Sequence, residues 1–349
     1  MRRVRLPNNE LAERKIVAEI SLIGADTLMG RELSEVLDQQ RPDITIKTFA
    51  ASGEGNFGEK DGEAVYLEAL SGDTVEPDFA LLFAGTAAGA DKTYELAKAA
   101  GRKPALIDCT GLLESRPEAR IIAPLLKDSN QPESWLLVIA HPAATAIAMV
   151  LDRLSRYRKL RSAVINILEP ASERGKGGIS ELHTQTTNLL AFKTLPKEVF
   201  DAQLSFNLLP QYGAEAPVQL ATAEQRIERD LATLVSRLPN RAGIPMPSLR
   251  LVQAPVFHGY SLSLWIEFET DVNADDLSES LATAQIEVRS TDQESPTNVG
   301  AAAQSGLAVG DVRVDRNNPR AAWIWIAMDN LRVTADAAVE LLKAVETKL

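Results

Sequence analysis

The chain has 349 residues, 45% of them hydrophobic and 24% charged, with 37 Lys and Arg against 48 Asp and Glu for a net charge of −11. That acidic surplus argues against a nucleic-acid or anionic-membrane partner, and the length is more than one hydrophobic core usually serves, so two domains are expected. A single cysteine, Cys109, excludes an internal disulfide, and together with three scattered histidines it offers no metal-ligand spacing, so no metal is expected.

Residues 1–14 form a charged leader lacking the apolar core of a signal peptide, and no run approaches the roughly 18–20 apolar residues of a membrane span, which makes a cytoplasmic location the expectation. KIVAEISLIG (15–24) has the pattern of a short buried strand. A Gly-containing turn leads into MGRELSEVLDQQ, a helix with Leu33, Val36 and Leu37 on one face. DITIKTFA, DFALLFAG, PALIDCT and WLLVIA read as further strands, with DKTYELAKAAG as a helix closed by Gly101. Strand alternating with helix implies parallel βαβ units in a doubly wound sheet.

The pattern changes after residue 160. SAVINILEP (162–170) and LRLVQAPVFHGYSLSLWIEFE (249–269) are β-type runs with two-residue alternation, separated by helices near 177–190 and 222–237. IEVRS, VGDVRV and AAWIWIAM add strands, the signature of a mixed or largely antiparallel α+β domain. The amphipathic helix TADAAVELLKAVETKL ends the sequence and is expected to pack on the first domain.

Two features carry candidate chemistry. In LIGADTLMGREL, Gly24, Thr27 and Gly30 lie between a strand and a helix, the context in which a pyrophosphate sits on a helix N-terminus. Thr27 stands where a glycine would let the backbone approach phosphate, so a tight βα turn is the competing reading. FAGTAAGAD (83–91) makes a second such turn. In VIAHPAATAIAMVL (138–151) a strand runs through His141-Pro142 into a helix, a junction suited to a nucleophile, yet it holds Ala143 and Ala144.

Taken in order, IGADTLMGREL, FAGTAAG, LIDCTG, HPAATAIAMVL, SFNLLPQ, QAPVFHGYS and MDNLRVTADAA resemble the aspartate-semialdehyde dehydrogenase family over nearly the whole chain. The sequence is more similar to that family's non-catalytic, Usg-like paralogues than to its enzymes. The resemblance implies a Rossmann-type NAD(P)-binding domain at 15–140, an α+β catalytic and dimerisation domain at 141–328, and a C-terminal helix at 329–349 returning to the first domain. It further implies a homodimer, and cofactor contacts at Gly24, Thr27, Leu28, Met29, Gly30, Gly85 and Asn330. The family reduces aspartyl phosphate with NADPH, in amino-acid biosynthesis, through a Cys thioester and a His acid/base.

Residue by residue, the active-site carry-over fails. The nucleophile motif places Ala144 where the cysteine belongs, and a methyl group cannot attack a carbonyl. Gln253 replaces the carboxylate-binding Arg, Tyr260 the catalytic His, Glu169 a Gln, and Glu114 a second Arg. Two new carboxylates are expected to repel an anionic substrate, at several kcal/mol per close like-charge contact on the order given by Coulomb's law. Glu224 and Arg226 keep the family's Glu-x-Lys charge spacing and mark a possible remnant pocket.

His258 precedes Tyr260 by two residues, so in an extended strand both point to one side, about 6–7 Å apart. Cys109 is expected to keep a thiol pKa near ~8.5. Thr145 and Ser172 read as an unactivated helix cap and turn residue, and His183 as part of a packing helix.

Two functions follow. One is a family member without dehydrogenase activity, in a binding or regulatory role with a small-molecule or protein partner that the sequence does not identify. The alternative is an NAD(P)-dependent oxidoreductase with an altered substrate and no thioester, using Tyr260 or His258 as proton donor. NADP or NAD is the cofactor implied by the resemblance, with Thr27 arguing against it.

Overall fold

The computed structural model describes residues 19–60, 63–75, 79–127 and 133–347. The leader expected at 1–14, the first four residues of the strand pattern at 15–18 and the last two residues of the final helix lie outside them.

The first layer is built from β1 (Glu19–Ile23), α1 (Leu28–Gln40), β2 (Thr45–Phe49), a hairpin of β3 (Asn56–Lys60) and β4 (Glu63–Leu67), a short α2 (Gly72–Val75), β5 (Ala80–Phe83), α3 (Ala87–Ala99), β6 (Ala105–Asp108), β7 (Ala119–Ile122) and β8 (Leu136–Ile139). Six of these strands form a sheet ordered β2-β1-β5-β6-β8-β7, and every pairing in it is parallel. Strands β5 and β8 are buried along their whole length, which is why they read as unbroken apolar runs. Helix α1 buries Leu33, Val36 and Leu37, the face expected from its periodicity. The hairpin and β7 gave no clear signal, because Asn56–Leu67 is largely polar and β7 is only four residues long.

The second layer runs through α4 (Pro142–Tyr157), β9 (Leu160–Glu169), a 3₁₀ turn (Ala171–Arg174), α5 (Gly175–Leu190), α6 (Leu220–Arg237), β10 (Ser248–Gln253), β11 (Tyr260–Phe268), α7 (Ala274–Leu281), β12 (Ile286–Val288), α8 (Asn298–Ala301), β13 (Leu307–Asp315) and β14 (Asn318–Met328), after which α9 (Asn330–Glu346) returns to pack on α1, β5 and β8 of the first. Its sheet is ordered β10-β9-β11-β14-β13-β12. The outer pairs, β10 with β9 and β12 with β13, are parallel, and the inner ones antiparallel. Two sheets of this kind, one parallel and one mixed, make an α/β two-domain fold.

One face of the second sheet carries Ile165, Ile167, Leu262, Leu264, Ile266, Ile324 and Ile326, all buried, with α4 and α6 packed against its strands. The opposite face presents Val164, Trp265, Trp323 and Trp325, with Trp265 directly opposite Trp323 in the β11–β14 register. Helix α4 is buried over most of its length, and its alanines permit close approach by the helices around it.

The long β run expected at 249–269 is two strands. Pro255 has no N–H to give to a ladder, and Gly259 has φ +82°, a left-handed conformation that a side chain opposes. The intervening carbonyls are used elsewhere: Val256 accepts from Ala171 N at 2.8 Å and Phe257 from Ser172 N at 3.0 Å. No helix among the described residues is long and apolar enough to cross a membrane, and none of their His, Cys, Asp and Glu side chains cluster as a metal site.

Candidate active site

In the first sheet, strand order reverses between β1 and β5, and ligands of open α/β sheets bind beyond the carboxyl ends of the strands at such a point. A cleft of about 260 Å³ lies there. Its walls are Thr27, Leu28 and Met29 at the start of α1, Gly85 after β5, Cys109 and Thr110 after β6, and His141 and Pro142 after β8. Ser172, Glu173, Arg226 and Asn330 close it from the second layer.

Five of the seven expected cofactor positions, Thr27, Leu28, Met29, Gly85 and Asn330, therefore meet in one cleft. Gly24 and Gly30 stand behind it, where a Cβ on Gly30 would collide with the Gly24 carbonyl. Thr27 is the N-cap of α1: its hydroxyl accepts from Gly30 N at 2.9 Å and lies 2.8 Å from Gly24 O and 2.9 Å from Ala84 O. The first backbone N–H groups of a helix have no intrahelical partner, and with Gly30 capped, those of Leu28 and Met29 are at the cleft wall. These residues fit a pyrophosphate on the helix dipole. Thr27 tightens the turn without occupying the donors.

Glu169, Gln253 and Tyr260 converge, all three wholly buried. Arg174 Nη2 donates to Glu169 Oε1 at 2.6 Å, and Tyr260 Oη to Glu169 Oε2 at 3.2 Å. Tyr212 Oη sits 2.6 Å from Gln253 Oε1 and 3.1 Å from Glu169 Oε1. Gln253 Nε2 donates to the Glu169 and Ala254 carbonyls. Each side chain in this knot is thus hydrogen-bonded to at least one other member of it. Burial, then the Glu169 charge, raises the Tyr260 phenol well above its ordinary pKa, so it stays neutral. Ala144 is fully buried within α4, and the cleft wall at this junction is made by His141 and Pro142 instead.

The repulsion expected from the two new carboxylates is corrected by their surroundings. Glu169 has its own guanidinium in Arg174. Glu114 is bridged by Arg229 at 2.6 Å and Arg226 at 3.3 Å, so arginines, one near and two distant in sequence, neutralise both. Arg226 is at the cleft wall and donates to Thr110 O at 2.9 Å. Glu224, its supposed partner, turns away and accepts from Leu251 N on β10 at 2.5 Å.

Sequence reasoning passed over His141 and Glu173. His141 caps α4, its Nδ1 accepting from Ala143 N at 3.2 Å, while its own N–H donates to Asp230 Oδ2 at 2.8 Å. Burial, then Arg226 and Arg174, lowers its pKa well below the usual value and keeps the ring neutral. Burial, then the neighbouring Glu169, pushes the Glu173 carboxyl up to about 7. A His before Pro at a helix start was the available signal for the first; nothing local marks the second.

The model of a family described as semialdehyde dehydrogenase, dimerisation domain, matches residues 152–333. A USG-1 protein homolog from Pseudomonas aeruginosa is 30% identical over 331 residues, covering 93% of this chain and 96% of that protein. The chain belongs to the aspartate-semialdehyde dehydrogenase family. An aspartate-semialdehyde dehydrogenase of Rickettsia bellii is 26% identical over 339 residues, 93% of this chain and 97% of its own. A solved structure, a probable aspartate-semialdehyde dehydrogenase from Pseudomonas aeruginosa, superposes with a TM-score of 0.78 at 26% identity over 95% of this chain and 99% of that one. The Candida albicans enzyme solved with NADP has a TM-score of 0.65 at 12% identity over 95% and 99% of the two chains, a likeness of fold alone.

Within this family member, three expectations about single residues are corrected. His258 and Tyr260 do not share a side: the bend at Gly259 sends His258 to Ser172 and Asp329, at 3.1 and 2.8 Å, while Tyr260 faces Glu169. Thr145 is no cap; it lies buried inside α4, its N–H donating to His141 O at 3.0 Å. The Cys109 thiol is raised well above its ordinary pKa by burial and then by Asp108, and no hydrogen bond among the described residues joins it to His258. His183 is exposed on α5.

Proposed function

We propose that this family member does not perform the phosphorylating dehydrogenase reaction and instead binds a small molecule or dinucleotide in the strand-end cleft, in a binding or regulatory role. The observation that carries the reading is the closed knot of Glu169, Arg174, Tyr212, Gln253 and Tyr260. Where the family's enzymes hold an anionic substrate and its acid/base, these groups bond to one another, and at the nucleophile position Ala144 is a buried methyl. A neutral phenol locked on a carboxylate has no proton to exchange with the cleft.

The test is phosphate-dependent oxidation of aspartate semialdehyde by the purified chain with NADP. NADPH formation no faster than in the protein-free control is expected; phosphate-dependent formation above it overturns the proposal.

The meeting of Thr27, Leu28, Met29, Gly85 and Asn330 in the cleft favours a second element, retention of a nicotinamide dinucleotide. Bound there, such a cofactor supplies hydride transfer; the chain's part is to hold the pyrophosphate on the Leu28 and Met29 N–H groups. Saturable NADPH or NADH binding by calorimetry supports retention and keeps the oxidoreductase alternative in play, whereas no binding at millimolar cofactor removes both. We also propose a homodimer through the face bearing Trp265, Trp323 and Trp325, in keeping with the matched dimerisation domain; sedimentation of the full chain as a monomer at micromolar concentration would exclude it.

A further inference from the structure

Ser172, His258 and Asp329 form a chain of contacts at the cleft that the function proposed above does not use. Ser172 Oγ lies 3.1 Å from His258 Nδ1, and His258 Nε2 lies 2.8 Å from Asp329 Oδ2. We propose that Ser172 is an acyl-accepting nucleophile, with His258 as its general base and Asp329 as the positioning residue, and that the cleft hydrolyses short-chain, uncharged esters. This goes beyond the function proposed above and needs no nicotinamide.

The protonation states follow from the partners. Asp329 Oδ1 accepts from Leu331 N and Arg332 N, both at 2.9 Å, and Oδ2 from Ala303 N at 2.8 Å. A carboxylate so surrounded is an acceptor only, and its pKa is lowered: burial opposes ionisation, but the His258 and backbone hydrogen bonds outweigh it. The proton of a neutral His258 ring therefore sits on Nε2, and the Nδ1 lone pair faces the Ser172 hydroxyl. The ring is used the other way round from the serine-protease arrangement, with the same division of roles.

Asn330 fixes the remaining atoms. Its Oδ1 accepts from Gly259 N at 3.3 Å and lies 3.4 Å from Ser172 Oγ, a more distant acceptor for that hydroxyl than His258 Nδ1, while its Nδ2 lies 3.3 Å from Ser172 Oγ and donates to Glu173 Oε1 at 2.8 Å. Ser172 belongs to the 3₁₀ turn pinned to Val256 and Phe257, next to His258 in sequence, so nucleophile and base ride on one rigid unit. Ser172 and Asn330 line the 260 Å³ cleft, a space suited to a small acyl group. With Arg226 already matched to Glu114 and Glu173 held mainly as the neutral acid below about pH 7, the walls favour an uncharged substrate.

In the reaction, Ser172 Oγ bonds to the ester carbonyl carbon as its proton passes to His258 Nδ1. Asn330 Nδ2, 3.3 Å from Ser172 Oγ, is a side-chain donor beside the attacking atom. The C–O bond to the alcohol breaks and the alcohol leaves with that proton. Water then attacks the acyl-serine, its proton moving to Nδ1 and on to Ser172 Oγ as the acid departs. Ester and water give acid and alcohol, with no change of oxidation state.

Charged groups around His258 come from several elements: Asp329 before α9, Glu32 on α1 and Glu173 on the 3₁₀ turn. Burial disfavours the imidazolium, but Asp329, then Glu32 and Glu173, raise its pKa above 6.5. Labelling therefore accelerates with pH through a value above that of an ordinary histidine.

The experiment treats the full chain with a fluorophosphonate probe and with p-nitrophenyl acetate, mapping the adduct by peptide mass. An adduct on Ser172, and nitrophenol release above the protein-free rate, are expected. Ser172→Ala should abolish both, and His258→Gln should slow labelling on the order of a hundredfold or more while keeping the wild-type circular dichroism spectrum. Because His258 is partly exposed, its variant decides the matter even if Ser172→Ala fails to fold. No adduct, an adduct elsewhere, or a rate unchanged by His258→Gln overturns the proposal.

Discussion

Replacing Arg174 by Met is the sharpest test of the buried knot. Glu169 is wholly shielded from solvent and Arg174 nearly so, with side-chain exposures of 0% and 14% and a separation of 2.6 Å. Removing the guanidinium leaves a carboxylate with only the Tyr212 and Tyr260 hydroxyls to face. Breaking one side of a buried pair costs about 3–5 kcal/mol, far more than the pair contributes relative to apolar residues of the same shape. Glu169→Gln is milder, about 1–2 kcal/mol, because the orphaned arginine keeps a path to water and its contact with Tyr212. The double variant should resemble Glu169→Gln rather than the sum of the two, giving a coupling of about 2 kcal/mol or more. Urea unfolding followed by circular dichroism, at one protein concentration because a dimer's stability depends on it, measures all three. If Arg174→Met costs less than about 1 kcal/mol, or if the two costs add within about 0.5 kcal/mol, Glu169 is not held as an ion inside the fold.

The other expectations are narrower. The Glu173 carboxyl is raised to about 7 in the fold, against about 4.3 when unfolded, so the native state binds the extra proton; its contribution to stability is full below about pH 4.3 and is lost as pH rises through 7. Urea midpoints between pH 5 and 8 should therefore fall faster in the wild type than in Glu173→Gln, and parallel curves would contradict the assignment. Cys109, with its thiol raised by burial and Asp108, should react with iodoacetamide at pH 7.5 on the order of tenfold more slowly than a free thiol, since only the thiolate attacks; equal rates would contradict it. Thr27→Val keeps the shape but strands the Gly30 N–H, costing about 1 kcal/mol by loss of the cap, measured as a lower melting temperature; an unchanged melting temperature would show that the hydroxyl is not the cap that matters.

Much of the frame was legible because its signals are local. Alternating strands and helices gave the parallel sheet, and two-residue alternation after residue 160 gave the mixed one. The break inside 249–269 was missed since Tyr260–Phe268 alternates so cleanly that Pro255 and Gly259 read as part of one run. The site was legible only as absences. Ala144, Gln253, Tyr260 and Glu114 told what chemistry the motifs lacked, while the partners that satisfy Glu169, Gln253 and Glu114, namely Arg174, Tyr212 and Arg229, belong to no motif. Tyr212 meets Glu169 across 43 residues of chain, and Arg229 meets Glu114 across 115. Likewise, the contact of Ser172 with His258 spans 86 residues, so neither residue taken alone marks the pair.

The start of α9 has a consequence for synthesis. Asp329 and Asn330 hold His258, Ser172 and Glu173, and the helix they open then packs on α1, an element formed some 300 residues earlier. A ribosome-bound chain can pair the strands of the first sheet well before residue 330 emerges, yet it has no finished cleft. Ligand capture therefore waits for residue 330 and the helix it opens, and shorter nascent chains are blind to whatever the folded protein recognises.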